Sequence, residues 1–123
     1  RTLVVGDEVV YAMYRCSDHW ITNTARGGEA LPCPLSPEIR ELSLAAARAV
    51  GGGILAVDLL ETADGHLLVN EVNHTPEFHG AAQVVDVDIA GKMADYVLRL
   101  VSGQVVLGLV VRCISRPPDH LTI

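Results

Sequence analysis

Several features that would fix a function quickly are missing from these 123 residues. No GxxxxGK[ST] or GxGxxG run is present, so there is no glycine-rich phosphate loop of the usual kinds. No CxxC pair occurs either. Cys16, Cys33 and Cys113 form an odd set, which speaks against a disulfide framework or a zinc site and reads as free thiols in a reducing, cytoplasmic compartment. Apolar runs such as "VVLGLVV" are far too short to span a bilayer. Positive charge is in deficit: the net charge of −6 argues against a nucleic-acid partner or an anionic membrane surface. Internal repeats, low-complexity stretches and a signal peptide are absent as well. The chain opens at Arg1, without Met and directly in a strand-like run, which suggests a fragment of something longer.

What is present is a globular composition, half apolar and 20% charged, enough for one domain with a single core. "TLVVGDEVVYAMYR" reads as a hairpin turning at Gly6-Asp7, with Val9, Tyr11, Met13 and Arg15 on one face of its second strand. Residues 17–35 look irregular, broken by Gly27-Gly28 and by prolines 32 and 34. Ser36 then caps a helix that has Pro37 at its first position and Ile39, Leu42, Ala46, Ala49 and Val50 at helical spacing, ended by Gly51–Gly53. A second hairpin, "ILAVDLLE-TADG-HLLVNEVN", leads into a loop over 74–80. A shorter helix follows Asp88, with Ile89, Met93, Tyr96, Val97 and Leu100 on one side. Beyond residue 100, "GQVVLGLVVRCI" suits another strand and "SRPPDHLTI" a frayed terminus, so residues 101–123 read as a divergent tail. The fold class is therefore α+β: an antiparallel sheet of two hairpins with packed helices.

The chemistry concentrates in "NEVNHTPEF", residues 70–78. A hairpin centred on Asp64-Gly65 pairs residues whose numbers sum to 129, setting Asp58 opposite Glu71 with Asn73 on the same face. Like charges directly opposite destabilise a sheet, and a Mg²⁺ ion bound by these oxygens would compensate. An empty site of this kind is expected to raise the pKa of at least one of the two acids. Pattern alone leaves a solvated face with two ordinary acids equally open. "HWITNTARGG" offers Asn23, Thr24, Arg26, Gly27 and Gly28 as donors to phosphate or carboxylate, or else forms an ordinary surface loop. Arg1 and Arg15, taken singly, read as solvated surface charges. His74 and His79 lack a partner at zinc-ligand spacing, which favours a structural or substrate-facing role.

The order "RTLVVGDEVVYAMYR…WITNTARGG…AVDLLE…LLVNEVNHTPEF…VDIAGKMADY" resembles the C-terminal half of an ATP-grasp ligase over about residues 1–100. Within that superfamily "ITNTARGG" and "NEVNHTPEF" resemble the LysX group of lysine-biosynthesis ligases more than the RimK group of ribosomal-protein glutamate ligases. The resemblance implies a reaction in which ATP activates a carboxylate as an acyl-phosphate and an amine then attacks it. In the LysX group the carboxylate is the C-terminal glutamate side chain of a small acidic carrier protein, LysW, and the amine is that of α-aminoadipate.

The resemblance implies Mg²⁺ ligation by Asp58, Glu71 and Asn73, and nucleotide contacts by Ile21, Thr22, Asn23 and Arg1. It places Arg15 and Arg26 near the reacting groups, and Arg26, Gly27, Gly28, Asn73, His74 and Thr75 around the amino-acid substrate. Two departures stand out: Ile21 replaces the Arg of RimK relatives, and Pro76 stands where LysX relatives carry Met. The family's N-terminal domain, its lid and its adenine-holding hinge have no counterpart after Arg1, so the chain by itself is expected to be inactive. A RimK-like ligase adding glutamate to a protein tail, and a non-catalytic binding module with the ligase fold, are the alternatives. A homo-oligomer is left open.

Overall fold

A computed structural model describes residues 1–16 and 29–103 of the chain. Five strands form one antiparallel sheet: β1 (Thr2–Val5), β2 (Glu8–Cys16), β3 (Glu29–Pro32), β4 (Ile54–Glu61) and β5 (Leu67–Asn73), in the order β3-β2-β1-β4-β5. One face is covered by α1 (Pro37–Ala49). The short α2 (His79–Ala82) and α3 (Ile89–Val101) cover the other. This is the α+β layout that the hairpins and helix signals predict.

The two faces bury different residues of the same strands. Val4, Val9, Leu55 and Val57 pack with Ala47 of α1. Leu3, Val5, Tyr11 and Met13 pack with Ala81 and Ile89, and Phe78, Met93 and Tyr96 close over them. Central strands buried on both sides become near-continuous apolar runs, which is why "TLVV" and "ILAV" carry little alternation. Ser36 caps α1 as expected, its Oγ accepting from the Ile39 amide at 3.2 Å. Ala49 and Val50 lie exposed, so the inward stripe runs through Ser43 and Ala47 instead. The Ser43 hydroxyl is tolerated there because the Thr2 hydroxyl, equally buried, donates to it at 2.9 Å.

Four local features depart from the pattern reading. Leu3 pairs with Tyr11 but Val4 pairs with Val9, so Val10 is a bulge residue. The bulge reverses the parity of β2, and Val9 faces α1 while Tyr11 and Met13 face the other side. A strand at Glu29–Pro32 replaces the expected irregularity. Proline is compatible with it because β3 is an edge strand that ends there. Part of the 74–80 loop closes into α2, and Val97 of α3 is 46% exposed rather than inward. Residues 104–123, including the strand expected there, lie outside the described residues.

The first hairpin turns at Gly6-Asp7 as predicted, with Gly6 at φ +61°. A Cβ added at Gly6 would stand 2.7 Å from the Tyr96 ring of α3, because the turn docks directly against that helix. Gly6→Ala is therefore expected to cost about 1–2 kcal/mol in backbone strain alone. Displacement of Tyr96 adds to it. The check is a lower urea midpoint at unchanged slope, and an unshifted midpoint would mean that the turn does not hold this conformation.

Candidate active site: a carboxylate held by two arginines

The open end of the α2/α3 face carries the predicted acids. Antiparallel pairing sets Asp58 opposite Glu71 and Ala56 opposite Asn73, so all four side chains leave the sheet on one side. The predicted register is correct here, yet two irregularities that cancel produce it. The turn is a three-residue loop, with Thr62 bonded to His66 and Gly65 at φ +85°, which pairs Glu61 with Leu67 and Leu59 with Val69. Asn70 is then left without a partner as a bulge residue, and it restores the pairing at Asp58.

β1 lies between β2 and β4, and this brings Arg1 to Asp58. Arg1 donates from Nε to Oδ1 and from Nη2 to Oδ2, both at 2.8 Å, in a fork that matches the carboxylate. Arg15, from the far end of β2, donates through Nη2 to the same Oδ2 at 2.9 Å. The Asp58 side chain is 7% exposed, Arg1 12% and Arg15 17%. Both arginines are thus largely buried in an ion-pair triad. Their reading as solvated surface charges is corrected: a charge buried to this degree is retained only with a partner.

At Asp58 the pKa moves down and not up. Burial by itself would push the Asp58 carboxyl up, but the Arg1 hydrogen bonds and the charges of Arg1 and Arg15 outweigh it and hold the group below the usual carboxylate value. Arg1 in turn is raised, first by its hydrogen bonds to Asp58, against burial, and further by the charges of Asp58, Tyr11 and Glu71. The negative charge of Asp58 is thus compensated by guanidinium. Sequence reasoning identified Arg1, Arg15 and Asp58 singly and missed the triad. The available signal was the placement of β1 between two strands, which requires Arg1 to face Asp58.

Glu71 is exposed, Asn73 half-buried, and His74 and Thr75 exposed, at the point where β5 leaves the sheet. Glu77 accepts from the His79 amide and sits 2.9 Å from His79 Nδ1, which ties this segment to α2. The His79 backbone bond first, and then the His79 ring, hold the Glu77 carboxyl below its ordinary value despite slight burial. Among the described residues no three His, Cys, Asp or Glu side chains cluster closely enough to form a metal site by themselves. A cavity of about 520 Å³ is lined by Arg1, Arg15 and Asp58 together with Ile39 of α1 and the hairpin residues Leu59 and Leu67. Glu71 and Asn73 are not among its walls, so the cavity and the acid face share Asp58 alone. Ile21, Thr22, Asn23, Arg26, Gly27 and Gly28 lie outside the described residues. No helix among the described residues is long and apolar enough to cross a membrane.

Residues 1–97 match the RimK-like ATP-grasp domain. The tetrahydromethanopterin:alpha-L-glutamate ligase of Methanococcus maripaludis is 45% identical over 98 residues, covering 80% of this chain and 33% of that protein. The alpha-aminoadipate–LysW ligase LysX of Saccharolobus solfataricus is 37% identical over 91 residues, covering 73% and 33%. The ribosomal protein bS6–L-glutamate ligase of Salmonella paratyphi B is 39% identical over 101 residues, covering 80% and 33%. Among solved structures, the ATP-grasp ligase PsnB, complexed with a phosphomimetic variant of its minimal precursor, Mg and ADP, superposes with a TM-score of 0.64 at 25% identity. That match covers 79% of this chain and 30% of PsnB. The chain spans about a third of the length of the curated relatives it matches. With a sheet, a helix arrangement and a sequence shared with these carboxylate–amine ligases, the chain belongs to the RimK-like ATP-grasp family.

Proposed function

We propose that this chain is the catalytic-core part of an ATP-dependent ligase that joins the amine of an acidic amino acid to a carboxylate. The observation that carries the reading is the face shared by Asp58, Glu71 and Asn73 beside two buried arginines. Its donors are all oxygens, two carboxylates and an amide, which is the set a hard Mg²⁺ ion prefers. Asp58 fits that role while paired, since Oδ1 takes a single guanidinium hydrogen bond and keeps a lone pair free. Arg1 and Arg15 keep this carboxylate ionised and fixed in place. Bound Mg²⁺ supplies neutralisation of the charge that moves during phosphoryl transfer.

In the proposed reaction a carboxylate oxygen attacks the γ-phosphorus of ATP and ADP leaves. The neutral amine then attacks the acyl carbon, phosphate leaves with the C–O bonding pair, and the proton lost from nitrogen passes to the departing phosphate. Ile21, Thr22, Asn23 and Arg1 face the nucleotide in this scheme. Arg15 and Arg26 face the transferring group, and Arg26, Gly27, Gly28, Asn73, His74 and Thr75 face the amino acid. Two sequence segments, "ITNTARGG" and "NEVNHTPEF", favour the LysX assignment: α-aminoadipate joined to a LysW-like acidic carrier protein, in lysine biosynthesis in the cytoplasm. The second reading is a glutamate ligase, favoured by the 45% identity to the tetrahydromethanopterin enzyme against 37% to LysX.

All three relatives take an acidic amino acid, so the amino-acid class is the firmer part of the proposal. The test is an ADP-release assay on the full-length protein, with α-aminoadipate or glutamate against carrier protein, tetrahydromethanopterin and a ribosomal-protein tail. Turnover with α-aminoadipate and carrier alone supports the LysX reading. Turnover only with glutamate selects the second, and ADP release with none of these removes the proposal.

A further inference from the structure

Tyr11 is 4% exposed, and its hydroxyl is the one buried side-chain polar atom among the described residues that has no hydrogen-bond partner. Leaving a buried hydroxyl unmatched costs about 1–3 kcal/mol, so its presence calls for a reason. Packing needs only the ring, which phenylalanine would supply equally well. The location is informative. Tyr11 pairs with Leu3, Leu3 with Ala56 and Ala56 with Asn73, forming a row across the sheet next to the row of Met13, Arg1, Asp58 and Glu71. Between Tyr11 and Asn73 this row holds Leu3 and Ala56, both fully buried. Burial pushes the phenol up to about 12, and the charges acting on it are those of Arg1, Glu77, Asp58 and Arg15. A phenol that stays protonated at neutral pH is a hydrogen-bond donor.

We propose that Tyr11 is a binding residue whose hydroxyl donates to an oxyanion of the ligand, a phosphoryl or carboxylate oxygen lodged beside Arg1 and Asn73. The proposal rests on the ligase reading for the identity of the site, though its test does not require turnover. Phe78 packs on the cluster that contains Tyr11, and the hydroxyl is closed off from solvent. The contact therefore forms when segment 74–78 yields to the ligand. A neutral donor in a dry position beside a guanidinium adds direction to an anion site without adding charge.

The experiment compares the full-length protein with its Tyr11→Phe variant by thermal unfolding. Inorganic phosphate and glutamate are titrated separately as probes of the two oxyanion sources. Without probe, Tyr11→Phe is expected to unfold at the same temperature or higher, because an unmatched hydroxyl has been removed. With probe, its dissociation constant is expected to rise about tenfold, the loss of one hydrogen bond to a charged group. The probe whose affinity falls identifies the oxygen that Tyr11 meets. Equal affinity of both proteins for both probes overturns the proposal, as does failure of both probes to stabilise the wild type. A destabilised variant with unchanged affinities also overturns it and assigns the hydroxyl to a buried water. Absence of ligation combined with a Tyr11-dependent phosphate shift would instead sink the ligase reading and leave this one standing.

Discussion

Asp58→Asn is expected to destabilise the domain by on the order of 3 kcal/mol, because it strands two largely buried guanidinium groups beside a neutral amide. Against a total stability of about 5–15 kcal/mol this is a large fraction, visible as a thermal midpoint lower by roughly 10 °C. Arg15→Gln in the same background should cost much less than it does alone, since the charge it would abandon is already gone. The pH dependence follows from the depressed Asp58 carboxyl. A group whose folded pKa lies below its unfolded value of about 3.9 stabilises the fold above that pH, and the contribution is lost as pH falls through the folded value. Wild type should lose stability steeply below about pH 4, and Asp58→Asn should flatten that slope. A variant as stable as wild type, with the same acid limb, would show that the triad contributes nothing.

How much of this was legible in the sequence depended on whether the cause was local. The Gly6-Asp7 turn, the Ser36 cap and the starts of the helices at Pro37 and after Asp88 follow from residues within four positions of each other, and the structure has them where the sequence puts them. The second helix, however, is as long as the first and not shorter. The bulges at Val10 and Asn70 have no local signature, because they are set by how three strands pack together. The first turned Val9 to the wrong face. The second concealed the longer turn, and the Asp58–Glu71 pairing came out correctly through two one-residue errors of opposite sign. The triad depends on residues up to 57 positions apart, and the order of β1 between β2 and β4 was not drawn from the pattern. Family likeness named the positions, whereas the partners they make needed coordinates.

Glu71 is the complementary case. It is exposed, opposite Asp58, and its charge acts favourably on Arg1, so it stands across from a triad that is already internally compensated. Glu71→Gln keeps the shape and an oxygen donor while removing one negative charge. On an exposed strand position away from the triad's hydrogen bonds, the change in fold stability should stay within about 0.5 kcal/mol. If the proposed Mg²⁺ role is right, the full-length enzyme should lose at least about a hundredfold in kcat, since a metal's stabilisation of the transferring phosphoryl is worth several kcal/mol. The Mg²⁺ concentration needed for half-maximal rate should rise at the same time, a readout that a structural defect would leave unchanged. Asp58→Asn is expected to fail in both stability and rate. Glu71→Gln should fail in rate alone, and that difference separates the residue that holds the site together from the one that faces the ion. Full activity in Glu71→Gln at unchanged Mg²⁺ demand would return Glu71 to the solvated face of an ordinary sheet.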